Sequence, residues 1–128
     1  MALAIDGVPV AASATELDQR ALSATLPDVS TAGQAYVVSP WAGKVTAVYS
    51  VLNAAIATGD ATLTVKNDAG SSMGTITIAN AASAAGDLDS LTPTTNSTVS
   101  AGDRIEVETD GGSTNAVAVD LTIVVQIT

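Results

Sequence analysis

A chain of 128 residues fits one domain, long enough to bury roughly two-thirds of its unfolded surface without staples. Its net charge of −9 comes from thirteen acidic residues against Arg20, Lys44, Lys66 and Arg104; such a surface repels nucleic-acid phosphate and anionic membranes, so neither is expected as a partner. Cysteine and histidine are both absent, which excludes disulfides and thiolate metal sites and removes the commonest general base near neutral pH.

With no Phe, and only Trp41, Tyr36 and Tyr49 as aromatics, the core must be built of Val, Ile, Leu and Ala. Residues 1 to 20 read as an extended N-terminal arm, in which Leu3, Ile5, Val8 and Val10 are scattered among Gly7, Pro9 and alanines. Ala11-Ala12-Ser13-Ala14 looks like a signal-peptidase site, but no basic residue precedes it and Asp6 and Pro9 interrupt the apolar run. A signal peptide is therefore not expected. Ala14 to Ala21 has the composition of a short helical turn. No clean apolar stretch reaches 18 residues, so no membrane span is expected.

From Ala21 onward the pattern is β, and residues 21–128 are taken as one domain. Leu22 to Leu26 is a candidate strand. Tyr36 to Ser39 is a short strand closed by the Pro40-Trp41-Ala42-Gly43 turn. Lys44 to Leu52 is longer and apolar on both sides. Strict alternation places Val45, Ala47, Tyr49 and Val51 on one face, with Val48 and Leu52 on the other. Because an antiparallel sheet usually keeps one face wet, a second face covered by another subunit or by the arm is expected. Trp41, Val48, Tyr49 and Leu52 are the candidate oligomer-interface residues.

Thr62 to Lys66 and Thr75 to Ile78 alternate as two strands joined by the Asn67-Asp68-Ala69-Gly70-Ser71 turn. Ala79 to Ala85 is alanine-rich but short, and Gly86 stops it. Leu88 to Leu91 is a possible further strand. Arg104 to Thr109 turns Ile105 and Val107 inward and Arg104, Glu106 and Glu108 outward. Asp110-Gly111-Gly112-Ser113 has the chemistry of a hairpin turn. The last strand is the clearest, with Val117, Val119, Leu121, Ile123, Val125 and Ile127 on one face. Short strands separated by turns predict an all-β fold: an antiparallel β-sandwich, jelly-roll-like, with an extended N-terminal arm.

Chemistry is sparse. Asp87, Asp89, Asp103, Asp110 and Asp120 lie near turns, yet no stretch has the spacing of a calcium-binding EF-hand loop, so they read as solvated charge. Glu106 and Glu108 share one face of one strand and cannot flank a glycosidic bond from opposite sides. A serine nucleophile would lack a histidine base, and there is no G-x-S-x-G element. The glycines near Gly70 and Gly111 lack the Lys-Ser/Thr of a phosphate loop. Neither a catalytic residue nor a bound metal or cofactor is expected. Trp41, in a turn, is read mainly as packing at the sandwich rim or in a subunit contact; an aromatic platform for sugars is the alternative.

Ser39-Pro40-Trp41-Ala42-Gly43-Lys44-Val45, Gly59-Asp60-Ala61-Thr62-Leu63-Thr64-Val65-Lys66-Asn67, Met73-Gly74-Thr75-Ile76-Thr77-Ile78 and Val99-Ser100-Ala101-Gly102-Asp103-Arg104-Ile105-Glu106-Val107 together resemble the small β-sandwich decoration, or cement, proteins of tailed-bacteriophage heads. The Val99 to Asp103 element also resembles a strand start in trimeric jelly rolls of the complement-C1q and tumour-necrosis-factor type. The first resemblance implies a non-enzymatic virion protein on the outer surface of the capsid. Its partner would be the major capsid protein, whose subunits it bridges, and it would be a homo-oligomer, a trimer in preference to a dimer. Leu3, Ile5, Val8 and Val10 of the arm are the candidate capsid contacts. The alternative is a carbohydrate- or receptor-binding module of a phage fibre.

Overall fold

A computed structural model describes residues 18–128 and the backbone of two short strands before them, β1 (Ala4–Ile5) and β2 (Val8–Pro9), which pair antiparallel. The side chains of Leu3, Ile5, Val8 and Val10, and the first half of the predicted helical turn over Ala14–Ala21, lie outside the described residues. Within them, Gln19 to Ala21 are already strand.

Nine strands follow: β3 (Gln19–Leu26), β4 (Gly33–Val38), β5 (Gly43–Leu52), β6 (Ala61–Lys66), β7 (Ser72–Ile78), β8 (Leu88–Leu91), β9 (Thr98–Val99), β10 (Arg104–Thr109) and β11 (Val119–Ile127). They form a four-stranded sheet in the order β4-β10-β6-β7 and a five-stranded sheet in the order β3-β11-β5-β8, with β9 also on β5. All pairings are antiparallel, and one set of them is nested. The first strand of the sandwich, β3, pairs with the last, β11, and β4 pairs with β10. Inside these, β5 pairs with β8 and β9, and β6 with β7. This is one long two-stranded ribbon folded over on itself, the jelly-roll topology.

Among the nine strands of the two sandwich sheets, only the β6–β7 link is a hairpin between successive strands of one ladder. Asn67 holds it three times: its carbonyl accepts from the Gly70 amide, its side chain accepts from the Ser71 amide and its own amide donates to the Ser71 carbonyl, each at 2.9 Å. Gly70, at φ 84°, occupies the left-handed region that favours glycine. The expected hairpin at Asp110 to Ser113 is not one. Its two flanking strands belong to opposite sheets, β10 pairing with β4 and β6, and β11 with β3 and β5. The loop crosses between sheets, braced by Asp110 Oδ1, which accepts from the Thr62 and Gly112 amides at 3.0 Å each. The alanine-rich stretch after β7 forms turns and no helix.

The core lies between the sheets and is wholly aliphatic apart from Met73: Val45, Val48, Leu52, Leu63, Val65, Ile76, Ile78, Ile105, Val107, Leu121, Ile123 and Val125 are among its buried members. Strand β5 departs from the strict alternation read in the sequence. Val124 faces Ala47 but Val125 faces Val45, so Thr46 is an extra residue opposite a single step of β11. This β-bulge resets the side-chain phase. Val45 therefore points inward with Val48, Ser50 and Leu52, while Ala47, Tyr49 and Val51 point outward.

Candidate functional site

The bulge decides which of the expected interface residues reach the surface. Val48 and Leu52 are buried against the opposite sheet of their own chain, and so cannot meet another subunit. Trp41 is half-buried in the β4–β5 crossing. There the Ser39 hydroxyl donates to the Trp41 carbonyl at 2.8 Å, and the Ser39 backbone bonds to the β9–β10 loop through Asp103 O and the Gly102 amide. The turn is structurally fixed, and its tryptophan is a rim residue. Tyr49 alone of the strand positions is exposed, at 40%.

Two outer faces of contrasting character remain. On the four-stranded sheet, pairing aligns Gln34, Glu108, Thr64 and Thr75 in one row and Tyr36, Glu106, Lys66 and Ser72 in the next, with Val38 beside Arg104. Lys66 Nζ donates to Glu108 Oε2 at 3.1 Å, and this bond, ahead of the nearby acidic charges, raises the Lys66 pKa. The Arg104 guanidinium stands 5.2 Å from the centre of the Tyr36 ring and 3.6 Å from Asp68. Gln34 Nε2 donates to the Tyr36 hydroxyl at 3.3 Å. Tyr36, 49% exposed, is thus an aromatic plate held by a cation and an amide amid carboxylates. Sequence reasoning weighed Trp41 for this role and passed over Tyr36. The available signal was the position of Tyr36 on the same alternating face as Gln34 and Val38.

On the five-stranded sheet the outward rows are Gln19, Gln126, Lys44 and Thr98; then Ala21, Val124 and Ala47; then Ser23, Thr122, Tyr49 and Ser90; then Thr25, Asp120, Val51 and Leu88. Among the described residues of these rows, charge enters only at the two ends, through Lys44 and Asp120. Val51 is 36% and Leu88 64% exposed.

Several of the acidic residues brace turns. Asp28 accepts from the Ser30 hydroxyl and the Ser30 amide, which lower its pKa, beside a shallow depression of about 290 Å³ lined by Leu26, Pro27 and Thr31 to Gln34. Asp89 lies on the inner side of edge strand β8, where burial and then the Asp87 charge raise its pKa. Asp87 Oδ2 accepts from the Ala84 amide, and Asp103 Oδ2 from the Ser100 amide. Among the described residues no group of three or more Asp, Glu, His or Cys is placed to hold a metal, and no helix is long and apolar enough to cross a membrane.

No protein-family model and no curated protein matches the chain. Among solved structures, it is similar to the catalytic domain of a GH87 alpha-1,3-glucanase in complex with nigerose, with a TM-score of 0.50 and 16% identity over 83% of this chain and 22% of that one. It is also similar to CsCBM6-3 from Clostridium stercorarium in complex with cellobiose, with a TM-score of 0.47 and 16% identity over 74% of this chain and 66% of that one. A Bacillus endospore appendage, described as forming disulfide-linked pili, gives a TM-score of 0.41 and 16% identity over 86% of this chain and 88% of that one. The chain thus spans less than two-thirds of the first two. At such identities, what the chain shares with the glucanase segment is the β-sandwich fold.

Proposed function

We propose that the chain is a non-catalytic structural module that decorates the outside of a phage capsid, bound to the major capsid protein through its N-terminal arm. The observation that carries this reading is that the nested jelly-roll pairing is complete from Gln19 onward, with Asp18 O accepting from the Ile127 amide at 2.7 Å just before β3. The sandwich pairing thus needs no strand from before Gln19, and the apolar residues Leu3, Ile5, Val8 and Val10 can order on a partner, offsetting their entropic cost with the contacts formed. The sequence resemblance supports the same reading, as does an acidic surface suited to water and repelled by nucleic-acid phosphate.

The test is addition of the protein to capsid shells that lack it. Wild type binds at high occupancy. Deletion of Met1 to Ala12 leaves the melting transition in place and weakens shell binding by about tenfold or more, about 1.4 kcal/mol. Unchanged occupancy would refute attachment through the arm, and no binding by wild type would refute the capsid reading.

A second reading is favoured by Tyr36. An exposed ring flanked by Gln34, Arg104 and Glu106 has the chemistry that binds a sugar: a flat apolar plate beside planar polar groups. A carbohydrate-binding module of this design shows glycan-array affinity that Tyr36→Ala abolishes and Trp41→Ala leaves intact.

A further inference from the structure

The five-stranded sheet presents an outer face unlike the rest of this acidic surface. Its two middle rows consist of Ala21, Val124 and Ala47, and of Ser23, Thr122, Tyr49 and Ser90, all uncharged. In a chain of net charge −9, two copies repel one another wherever their carboxylates meet. This face lets them approach with little repulsion, and its few charges are arranged to be self-complementary.

Lys44 pairs with Gln126 at one end of the face and Asp120 with Val51 at the other. Along β11 the two ends are six residues apart, about 20 Å at the usual strand rise. A two-fold axis lying in the face and crossing the strands midway, between the Val124 and Thr122 rows, reverses the strand direction of the second copy. It places the Lys44 row of each copy over the Asp120 row of the other. The two residues are on neighbouring strands, so the lateral offset is one strand spacing, about 4.8 Å, within reach of a lysine side chain. The same operation sets the bulky Tyr49 of one copy over Ala47 of the second, a large side chain over a small one. It does so twice, as an isologous interface requires.

We infer that this face is a homodimer surface on which two copies of the chain pack face to face, strands antiparallel, with Tyr49 at the centre and reciprocal Lys44–Asp120 pairs at the ends. The inference goes beyond the reading above and does not depend on what the module decorates or binds. It names a two-fold pair where the family resemblance implies a trimer. Four strands by about 20 Å give roughly 400 Å² per copy, short of the about 800 Å² per partner of a standard stable interface. The pair is therefore weak and forms where copies are concentrated.

Sedimentation equilibrium of the full chain, from about 10 µM to about 1 mM, tests it. Wild type shows a monomer–dimer equilibrium in this range. Tyr49→Lys, on an exposed site that leaves circular dichroism and melting temperature in place, gives a monomer throughout. Lys44→Glu and Asp120→Lys, each setting like charges against each other at both ends of the pair, weaken dimerisation by about tenfold or more. Combining Lys44→Glu with Asp120→Lys restores it to near the wild-type level. A wild-type monomer at every concentration overturns the proposal, as does a dimer or trimer indifferent to Tyr49→Lys. Loss of association on removing residues 1–17, with Tyr49→Lys silent, assigns it to arm exchange and overturns it too. A double charge variant no better than the singles overturns the antiparallel arrangement.

Discussion

Val45→Ala and Val51→Ala form a pair of substitutions that isolates the β-bulge in β5. By simple alternation the two valines, six residues apart, share a face and should respond alike. In the structure Thr46 is the extra residue, and Val45 is 0% exposed while Val51 is 36% exposed. Removing two methyl groups from Val45 forfeits about 1.6 kcal/mol of transfer free energy. A cavity cost is added, because the backbone there is pinned on both sides: Val45 pairs with Val125 and its amide donates to Ser97 O at 2.8 Å. The total is about 2–3 kcal/mol. For a domain of this size that lowers the melting temperature by roughly 6–12 °C. Val51→Ala, on the outer face, should stay within about 0.5 kcal/mol. Urea unfolding with unchanged m-value, read together with thermal melts, gives both numbers. Equal losses at the two positions, in either direction, would refute the bulge and the face assignment built on it.

Gly43→Ala should destabilise by about 1–3 kcal/mol or more. A Cβ there would stand 3.0 Å from the Gln126 carbonyl carbon and overlap its oxygen, backbone that has nowhere to move; a neutral melt would contradict the close β5–β11 approach. Asp110→Ala removes the carboxylate that accepts from the Thr62 and Gly112 amides, and should cost about 1–2 kcal/mol in urea unfolding. The Asp89 carboxyl, raised from its ordinary 3.8 by burial and by Asp87, favours the fold while protonated. That contribution is full below the unfolded value and is lost as pH rises through the raised one. Asp89→Asn should therefore raise the melting temperature at pH 7, with the gain vanishing near about pH 3; a constant gain across pH would show another cause. Asp28, held low chiefly by the Ser30 hydroxyl, has the opposite sign. Its contribution is present above 3.8 and is lost on acidification, so Asp28→Asn should lower the melting temperature at pH 7 and matter less as pH falls.

Local chemistry was enough for the elements themselves. Period-2 alternation over Val117 to Ile127 and over Arg104 to Thr109 appears as β11 and β10 because a half-buried strand imposes that period whatever it pairs with. The Asn67 to Ser71 turn appears as the β6–β7 hairpin because the Asn67 side chain and Gly70 supply its bonds and its φ from within the turn. The absence of aromatic side chains from the buried core was also legible, since the chain has so few.

Tertiary structure decided which sheet each strand joins and which side of β5 meets water. Asp110 to Ser113 has turn chemistry that serves a hairpin or a crossing equally. Only the ladder bonds of β10 to β4 and β6, and of β11 to β3 and β5, made it a crossing. The extra residue at Thr46 leaves no mark in composition or period over so short a strand; it is a property of the register against β11, and one such step moves every later side chain to the other face. For that reason Val48 and Leu52 became core, while Tyr49 remained at the surface. Neither outer face was visible as a unit in the sequence. Tyr36, Glu106 and Lys66 come together from three strands, as do Ser23, Thr122 and Tyr49, because a ladder aligns residues distant along the chain, and nothing local encodes which rows will be neighbours.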